Sequence, residues 1–328
     1  MTTNPPRTQR PLARRSACLV AAAALASAVT GCGGSSSAPP LPGSGGASSG
    51  SGGGSSTSAY DAVINGAPVA DPSLITAGSW MDSVKKRGYL RVGGTDAGPL
   101  FSLKNPATGK LTGFDAGLSQ MLARYITGKP ETKLTITTVD TREALLQNGT
   151  VDAVFATYTI TPPRAKKVAF AGPYYESGDA IMVKADNTSI KTVQDLNGKK
   201  VATESNSTAA LALPKYAPQA KVTLFQQDAE CVAAVQQGRV DAYVLDQGIL
   251  ISDASTNKAV KVVGQPFTKE PYGIGLPLKQ PEAKKFVDEW LQKIFTDGSW
   301  AKLWKATIGT VVSGDAPSPP KIGSAAGS

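Results

Sequence analysis

The segment LQNGTVDA, residues 146–153, returns as VQQGRVDA at residues 235–242, 89 positions further on. In each copy a helix-forming stretch runs into a glycine, Gly149 or Gly238, and then into Val151-Asp152-Ala153 or Val240-Asp241-Ala242. Glycine past the last helical turn is a common C-cap, because it takes the left-handed conformation at little cost. An apolar, β-rich run directly after such a cap predicts a buried strand. Two copies of helix, cap and strand therefore predict two similar α/β lobes.

Outward from the repeat, short apolar runs alternate with helical segments between about Tyr60 and Val312. Strands are expected over 89–95, 133–139, 151–157, 199–203, 221–225, 240–245 and 260–263. Helices are expected over 115–127, 141–147, 208–216, 228–237 and 281–295. That alternation argues for βαβ units and largely parallel sheets flanked by helices. Ligands of open α/β sheets lie beyond the carboxyl ends of the strands. In the repeat those ends are Tyr158-Thr159 and Asp246-Gln247, so a cleft between two lobes is the expected site.

Composition narrows the chemistry. The 328 residues contain no histidine, which excludes Ser–His–Asp and Cys–His catalysis, a histidine base and histidine-ligated zinc. Cys18, Cys32 and Cys231 are too scattered for a CxxC metal or redox site. No metal or other cofactor is expected. The net charge of +9 falls to +5 without residues 1–58, which hold four arginines and no acid. Without a polybasic run, that excess gives no reason to expect a nucleic-acid partner.

The amino terminus reads as an export signal. Arg14-Arg15 precede an apolar run from Ala17 to Val29, too short to span a bilayer comfortably. Val29-Thr30-Gly31-Cys32 resembles the bacterial lipobox, which implies cleavage before Cys32 and lipidation of that cysteine. Residues 1–31 are then a lipoprotein signal peptide and 32–59 a Gly/Ser-rich flexible tether. The expected location is the extracytoplasmic face of the cell membrane, lipid-anchored. Residues 313–328 (SGDAPSPPKIGSAAGS) are expected to be a disordered tail.

Several blocks then carry a family resemblance: LRVGGTDAGPLFSL, TGKLTGFDAGL, LLQNGTVDAVFATYTITPPRAKKVAFAGPYYESG, VQDLNGKKVATESNST, QQGRVDAYVLDQ and PYGIGLP. In this order, behind a lipobox, they resemble the polar amino-acid branch of the solute-binding proteins of ABC transporters, the family 3 extracellular solute-binding proteins. The resemblance implies a two-lobed, type II periplasmic-binding-protein-like α/β fold with a two-strand hinge. It implies lobe one over 80–175 plus 271–312 and lobe two over 180–268. The hinges would fall near 173–178 and 267–272. It also implies a monomer that captures an amino acid and delivers it to ABC permease membrane subunits, without being an enzyme.

An amino acid presents a carboxylate and an ammonium a short distance apart. A planar guanidinium suits the first and a carboxylate the second. By resemblance, Arg164 in TYTITPPR takes the ligand carboxylate and Asp246 in AYVLDQ the ammonium. Without the resemblance, Arg164 could be a surface ion-pair residue and Asp246 a helix N-cap. Thr159 matches a hydroxyl on the ligand main chain, beside the backbone of Ala156 and Thr157. Ser207 and Thr208 match a loop at a helix start that points N–H groups at an anion, a position that ordinary capping also explains. Asp96 and Phe101 lie in the first loop, where an aromatic packs on the ligand side chain; a turn and the core are their plainer roles. Arg142 matches a second arginine of acidic-amino-acid binders, which favours glutamate, then glutamine or aspartate. Against an acidic ligand stands Glu204, where similar glutamine binders carry lysine.

Two departures from the family pattern are visible. Gly117 stands where the block usually has an acid, and Cys231 has Ala202 where relatives place a partner cysteine, so a free, buried thiol is expected. Two other functions are open at this point: a lyase or dehydratase on the same fold, using Asp96, Glu204 and Asp246 as acid–base groups, or a stand-alone ligand sensor.

Overall fold

In the computed structural model, residues 53–328 are described. The signal segment, Cys18, Cys32 and the tether up to residue 52 lie outside the described residues. Among the described residues, no helix is long and apolar enough to cross a membrane.

Each copy of the repeat builds the same corner. The helices Arg142–Gln147 and Asp228–Gln236 end before Gly149 and Gly238, which have φ of +73° and +68°. The aspartate that follows then ties its strand to the neighbouring parallel strand. Asp152 N–H donates to Arg91 O at 2.8 Å, and Arg91 N–H donates back to the Asp152 carboxylate at 2.7 Å. Asp241 and Lys200 make the same exchange at 2.8 Å each way. A backbone amide and a carboxylate thus close each corner with two bonds, one of them charge-assisted.

Two five-stranded sheets result. The first runs Thr132–Ile136, Leu90–Gly94, Ala153–Val154, Glu270–Leu276, Ala169–Ser177. The second runs Lys221–Phe225, Lys200–Glu204, Ala242–Asp246, Asp179–Lys184, Val260–Val263. In each, the first three strands are parallel and the last two pairings are antiparallel. The sheets are therefore mainly parallel, as expected: in each, four strands run one way and one, Glu270–Leu276 or Asp179–Lys184, runs against them. The cause of the reversed strand is the crossover: the chain passes straight from Ala169–Ser177 into Asp179–Lys184 and returns through residues 264–269, with no helix to reverse its direction. The two crossings touch. A Cβ on Gly178 would lie 2.3 Å from Thr268 O, and Asp179 N–H donates to Thr268 Oγ1 at 2.8 Å.

Separate apolar cores sit behind the sheets. In the first, the helix Phe114–Thr127 buries Phe114, Leu118, Met121 and Leu122 against Trp290, Trp300 and Leu303. Gly117 is structural there, since a Cβ would come within 2.5 Å of Leu303 Cδ1. The second core gathers Ile181, Val201, Leu213, Tyr243 and Cys231. Cys231 is a buried free thiol, and burial pushes its pKa up.

Both ends depart from expectation. The helix Gly53–Gly66 occupies the last part of the expected tether, because Tyr60 and Ile64 place apolar side chains at helical spacing and bury them in the first core, with Ala67 just past the helix end beside them. Tyr60 Oη donates to Gln120 Oε1 at 3.0 Å. The tail 313–328, expected to be disordered, lacks regular structure but is packed. Gly323 N–H donates to Gly172 O at 2.9 Å, and Ala325 lies against the cluster of Tyr158, Ile160 and Phe170. Apolar contacts from Ala316, Ile322 and Ala325 and a backbone bond give a Gly/Ser/Pro-rich segment its place.

Candidate functional site

The carboxyl ends of the repeat strands face each other across a cleft. It holds a cavity of about 210 Å³ and, adjoining it, a smaller one of about 20 Å³, with Val139, Arg142, Thr157, Glu204, Leu245 and Ile249 lining both.

Arg164 occupies the small end. Thr161 caps the turn Pro162–Ala165, with proline at the first helical positions where its missing N–H costs nothing. That turn aims the guanidinium inward, and Arg164 is only 9% exposed. Its Nη1 donates to Thr159 O at 2.9 Å and its Nη2 to Asn206 O, on the opposite side, at 3.1 Å. It is therefore no surface ion-pair residue.

Asp246 approaches from the other side. It holds the N-cap position of the helix Gln247–Thr256, yet its side chain makes no capping bond. Its Oδ1 is shut from solvent without a hydrogen-bond partner. Burial, then the nearby Glu270 carboxylate, push its pKa up. A buried carboxylate kept short of donors in this way is a ready acceptor for a cation.

Of the remaining expected residues, Thr159, Ser207 and Thr208 line the small cavity, Thr157 and Arg142 line both, and Asp96, Phe101 and Ala156 line the large one. All ten are thus brought to one cleft. Their bonding qualifies several roles. Ser207 Oγ accepts from Ala210 N–H at 3.0 Å and donates to Glu204 O at 2.7 Å, so the hydroxyl is a helix cap. Ala156 O already accepts from Arg142 Nη1 at 3.1 Å. Phe101 is buried, edge-on to Tyr175 and Tyr272 at 5.8 and 6.1 Å, so it belongs to the core as well as to the cavity wall.

Arg142 is buried rather than solvated. Its guanidinium stacks 3.8 Å from the Tyr158 ring centroid, while that of Arg164 lies 5.4 Å from the same ring. Burial, then the charge of Arg164, lower its pKa to about 10, and its Nε has no partner.

Among the residues that hold this arrangement, the sequence did not single out Asp115, Asn206, Asp228 and Asp253. Thr157 sits at φ +44°, an uncommon conformation for a β-branched residue. Its N–H donates to Asp115 Oδ2 at 2.7 Å, and Tyr174 Oη donates to Asp115 Oδ1 at 2.7 Å. Asp115 is thus the support of the strand end, and burial raises its pKa to about 6. Asn206, at φ +57°, joins the two sides through its carbonyl and through a bond from its amide to Asp140. Asp228 and Asp253 line the large cavity with Glu204.

This architecture has counterparts among known proteins. The family model of the bacterial extracellular solute-binding proteins, family 3, matches residues 90–310, and the chain belongs to that family. It is 37% identical over 211 residues to the ABC transporter glutamine-binding protein GlnH of Bacillus subtilis, covering 64% of this chain and 77% of that one. It is 31% identical over 236 residues to the glutamate-binding protein GluB of Corynebacterium efficiens, covering 68% and 80%. Among solved structures, an ancestral arginine-binding protein bound to arginine superimposes with a TM-score of 0.62 at 36% identity, covering 68% of this chain and 99% of that one. The fold is accordingly the two-lobed α/β fold of the periplasmic amino-acid-binding proteins, and these relatives are named as binding proteins rather than enzymes.

Proposed function

We propose that this protein is the substrate-binding component of an ABC importer, one that captures a polar amino acid between its lobes and presents it to permease membrane subunits. The observation that carries this is the convergence of Arg164 and Asp246 on one cleft from opposite sides. The first offers donors in a planar fork to a carboxylate, and the second offers acceptors to an ammonium. A ligand held by both favours the closed arrangement, and differential affinity of that kind shifts a two-state population. The lipobox supports lipid anchoring through Cys32, on the extracytoplasmic side, and a monomer is enough to form the cleft.

Of the ligands that Arg142 suggested, glutamine suits the cleft better than glutamate or aspartate. A side-chain carboxylate would face Glu204, Asp228 and Asp253 in the large cavity. A thermal-shift screen of the full chain in detergent against the twenty amino acids tests the role. A ligand that binds only the native state raises the melting temperature, by about 2.7 kcal/mol of stabilisation at a hundredfold excess over Kd. A rise with at least one polar amino acid, lost in Arg164→Ala and Asp246→Ala, supports it; no rise with any overturns it.

A further inference from the structure

Building on that amino-acid-binding role, we infer that the far end of the cleft selects a ligand with a cationic side chain, a basic amino acid. Three carboxylates from three elements meet there: Glu204 at the end of the strand Lys200–Glu204, Asp228 at the start of the helix Asp228–Gln236, and Asp253 in the helix Gln247–Thr256. Among the described residues, no lysine or arginine forms a salt bridge with any of the three. Asp228 Oδ1 accepts from Tyr243 Oη at 2.8 Å, while Asp253 Oδ2 is shut from solvent with no partner. Asp96 adds a fourth carboxylate to the wall of the same cavity.

Arg142 marks the opposite pole. It is 5% exposed, lines both cavities, and its Nε has no partner. With Arg164 it gives the small end two guanidiniums beside Asp246, whereas Asp96, Asp228 and Asp253 line only the large cavity and Glu204 lines both. The charge order along the cleft is therefore two guanidiniums with Asp246, then Glu204, which lines both cavities, then Asp96, Asp228 and Asp253. A basic amino acid lies along it in one sense only, α-carboxylate to the guanidiniums and side-chain cation to the acids. A glutamate would place a further negative charge among the carboxylates. A glutamine could give them N–H donors but no charge, and a buried carboxylate gains most from a paired cation.

Burial and mutual repulsion favour the neutral form of these carboxyls. Burial first, then Asp228, push Glu204 up to about 8, and burial and Asp228 raise Asp253 as well. The charged or titratable groups acting on this cluster are Arg142, Asp246, Tyr243 and Cys231. Only Arg142 is a cation; it acts on Glu204, whereas among the described residues no cation acts on Asp228 or Asp253. An arriving cation favours the ionised carboxylates, so its binding releases protons.

The test is isothermal titration of the full chain in detergent with arginine, lysine, glutamine and glutamate at pH 7, in two buffers of different ionisation enthalpy. The expected result is arginine or lysine at least tenfold tighter than glutamine, with glutamate weakest and net proton release on binding the cation. Glu204→Gln and Asp253→Asn keep side-chain volume and should each cut the preference for the cation over glutamine at least tenfold. Melting temperatures of the unliganded variants verify that they fold. Glutamine or glutamate binding tighter than both cations overturns this inference and leaves the amino-acid role standing, as does an unchanged preference in both folded variants. Binding of no amino acid at all overturns both.

Discussion

The Nη2 of Arg164, carried by one lobe, donates to the carbonyl of Asn206 in the other at 3.1 Å. The cation expected to hold the ligand carboxylate is thus also part of the contact between the lobes. Its other bond, to Thr159 O at 2.9 Å, fixes the fork against its own strand end.

Arg164→Lys should therefore weaken ligand binding although charge is kept. A lysine ammonium cannot reproduce the planar fork that reaches two carbonyls and leaves N–H groups over for a carboxylate. Truncating one side of a buried charge pair costs about 2–5 kcal/mol, so a loss of affinity of roughly 30-fold or more is expected by titration calorimetry.

Gly248 faces Phe101 across the cleft, and a Cβ there would lie 2.9 Å from Phe101 Cζ. Gly248 N–H also approaches Ser177 Oγ at 3.4 Å. Gly248→Val is expected to wedge the lobes apart. Small-angle scattering of the variant with ligand should give a larger radius of gyration than the wild type with ligand, and affinity should fall about tenfold or more. An unchanged radius would show that Phe101 yields instead.

Gly117→Ala should destabilise the first lobe without touching the cleft. Its Cβ would come within 2.5 Å of Leu303 Cδ1 in a core filled by Trp290 and Trp300. Overpacking of this kind costs about 1–3 kcal/mol, read as a lower denaturant midpoint with an unchanged slope.

Glu204 gives the unliganded protein a pH dependence of known sign. Its pKa is raised in the folded state, to about 8, so its favourable contribution is complete below the ordinary glutamate value and is lost as pH rises through about 8. Melting temperature should accordingly decline between about pH 5 and pH 8, and Glu204→Gln should flatten that slope. At roughly 2–4 °C per kcal/mol for a chain of this size, the change is several degrees.

The repeat made the two lobes legible, because a helix ending on a left-handed glycine and entering an apolar strand is a local pattern. Gly149 and Gly238 behave as that pattern predicts. The crossing strands were not legible in this way. Ala169–Ser177 and Glu270–Leu276 pair over long sequence distances, and nothing local says that they run antiparallel to their neighbours. The helix Gly53–Gly66 was hidden by its glycine- and serine-rich start, although Tyr60 and Ile64 already carried its apolar stripe.

The site divides along a similar line. Arg164 and Asp246 stand in motifs that can be read from the chain, and the fold brings both to one cleft. Asp115 does its work through Thr157 N–H, 42 positions away, and Asp228 and Asp253 acquire meaning only when their two helices meet over one cavity. Arg142 stands at a helix start and was matched to a ligand-binding arginine by resemblance alone. Its stacking on Tyr158 depends on the strand that follows the helix, which no local pattern shows.

The most direct test of the central claim compares the best-binding amino acid with the amine that lacks its α-carboxylate, by titration calorimetry on the wild type and on Arg164→Ala. The account predicts that the wild type binds the amino acid at least a hundredfold more tightly than the amine, and that the difference nearly vanishes in Arg164→Ala. Equal binding of the two by the wild type, or a gap that survives in the variant, would contradict the assignment of Arg164 to the ligand carboxylate and with it the proposed pose in the cleft.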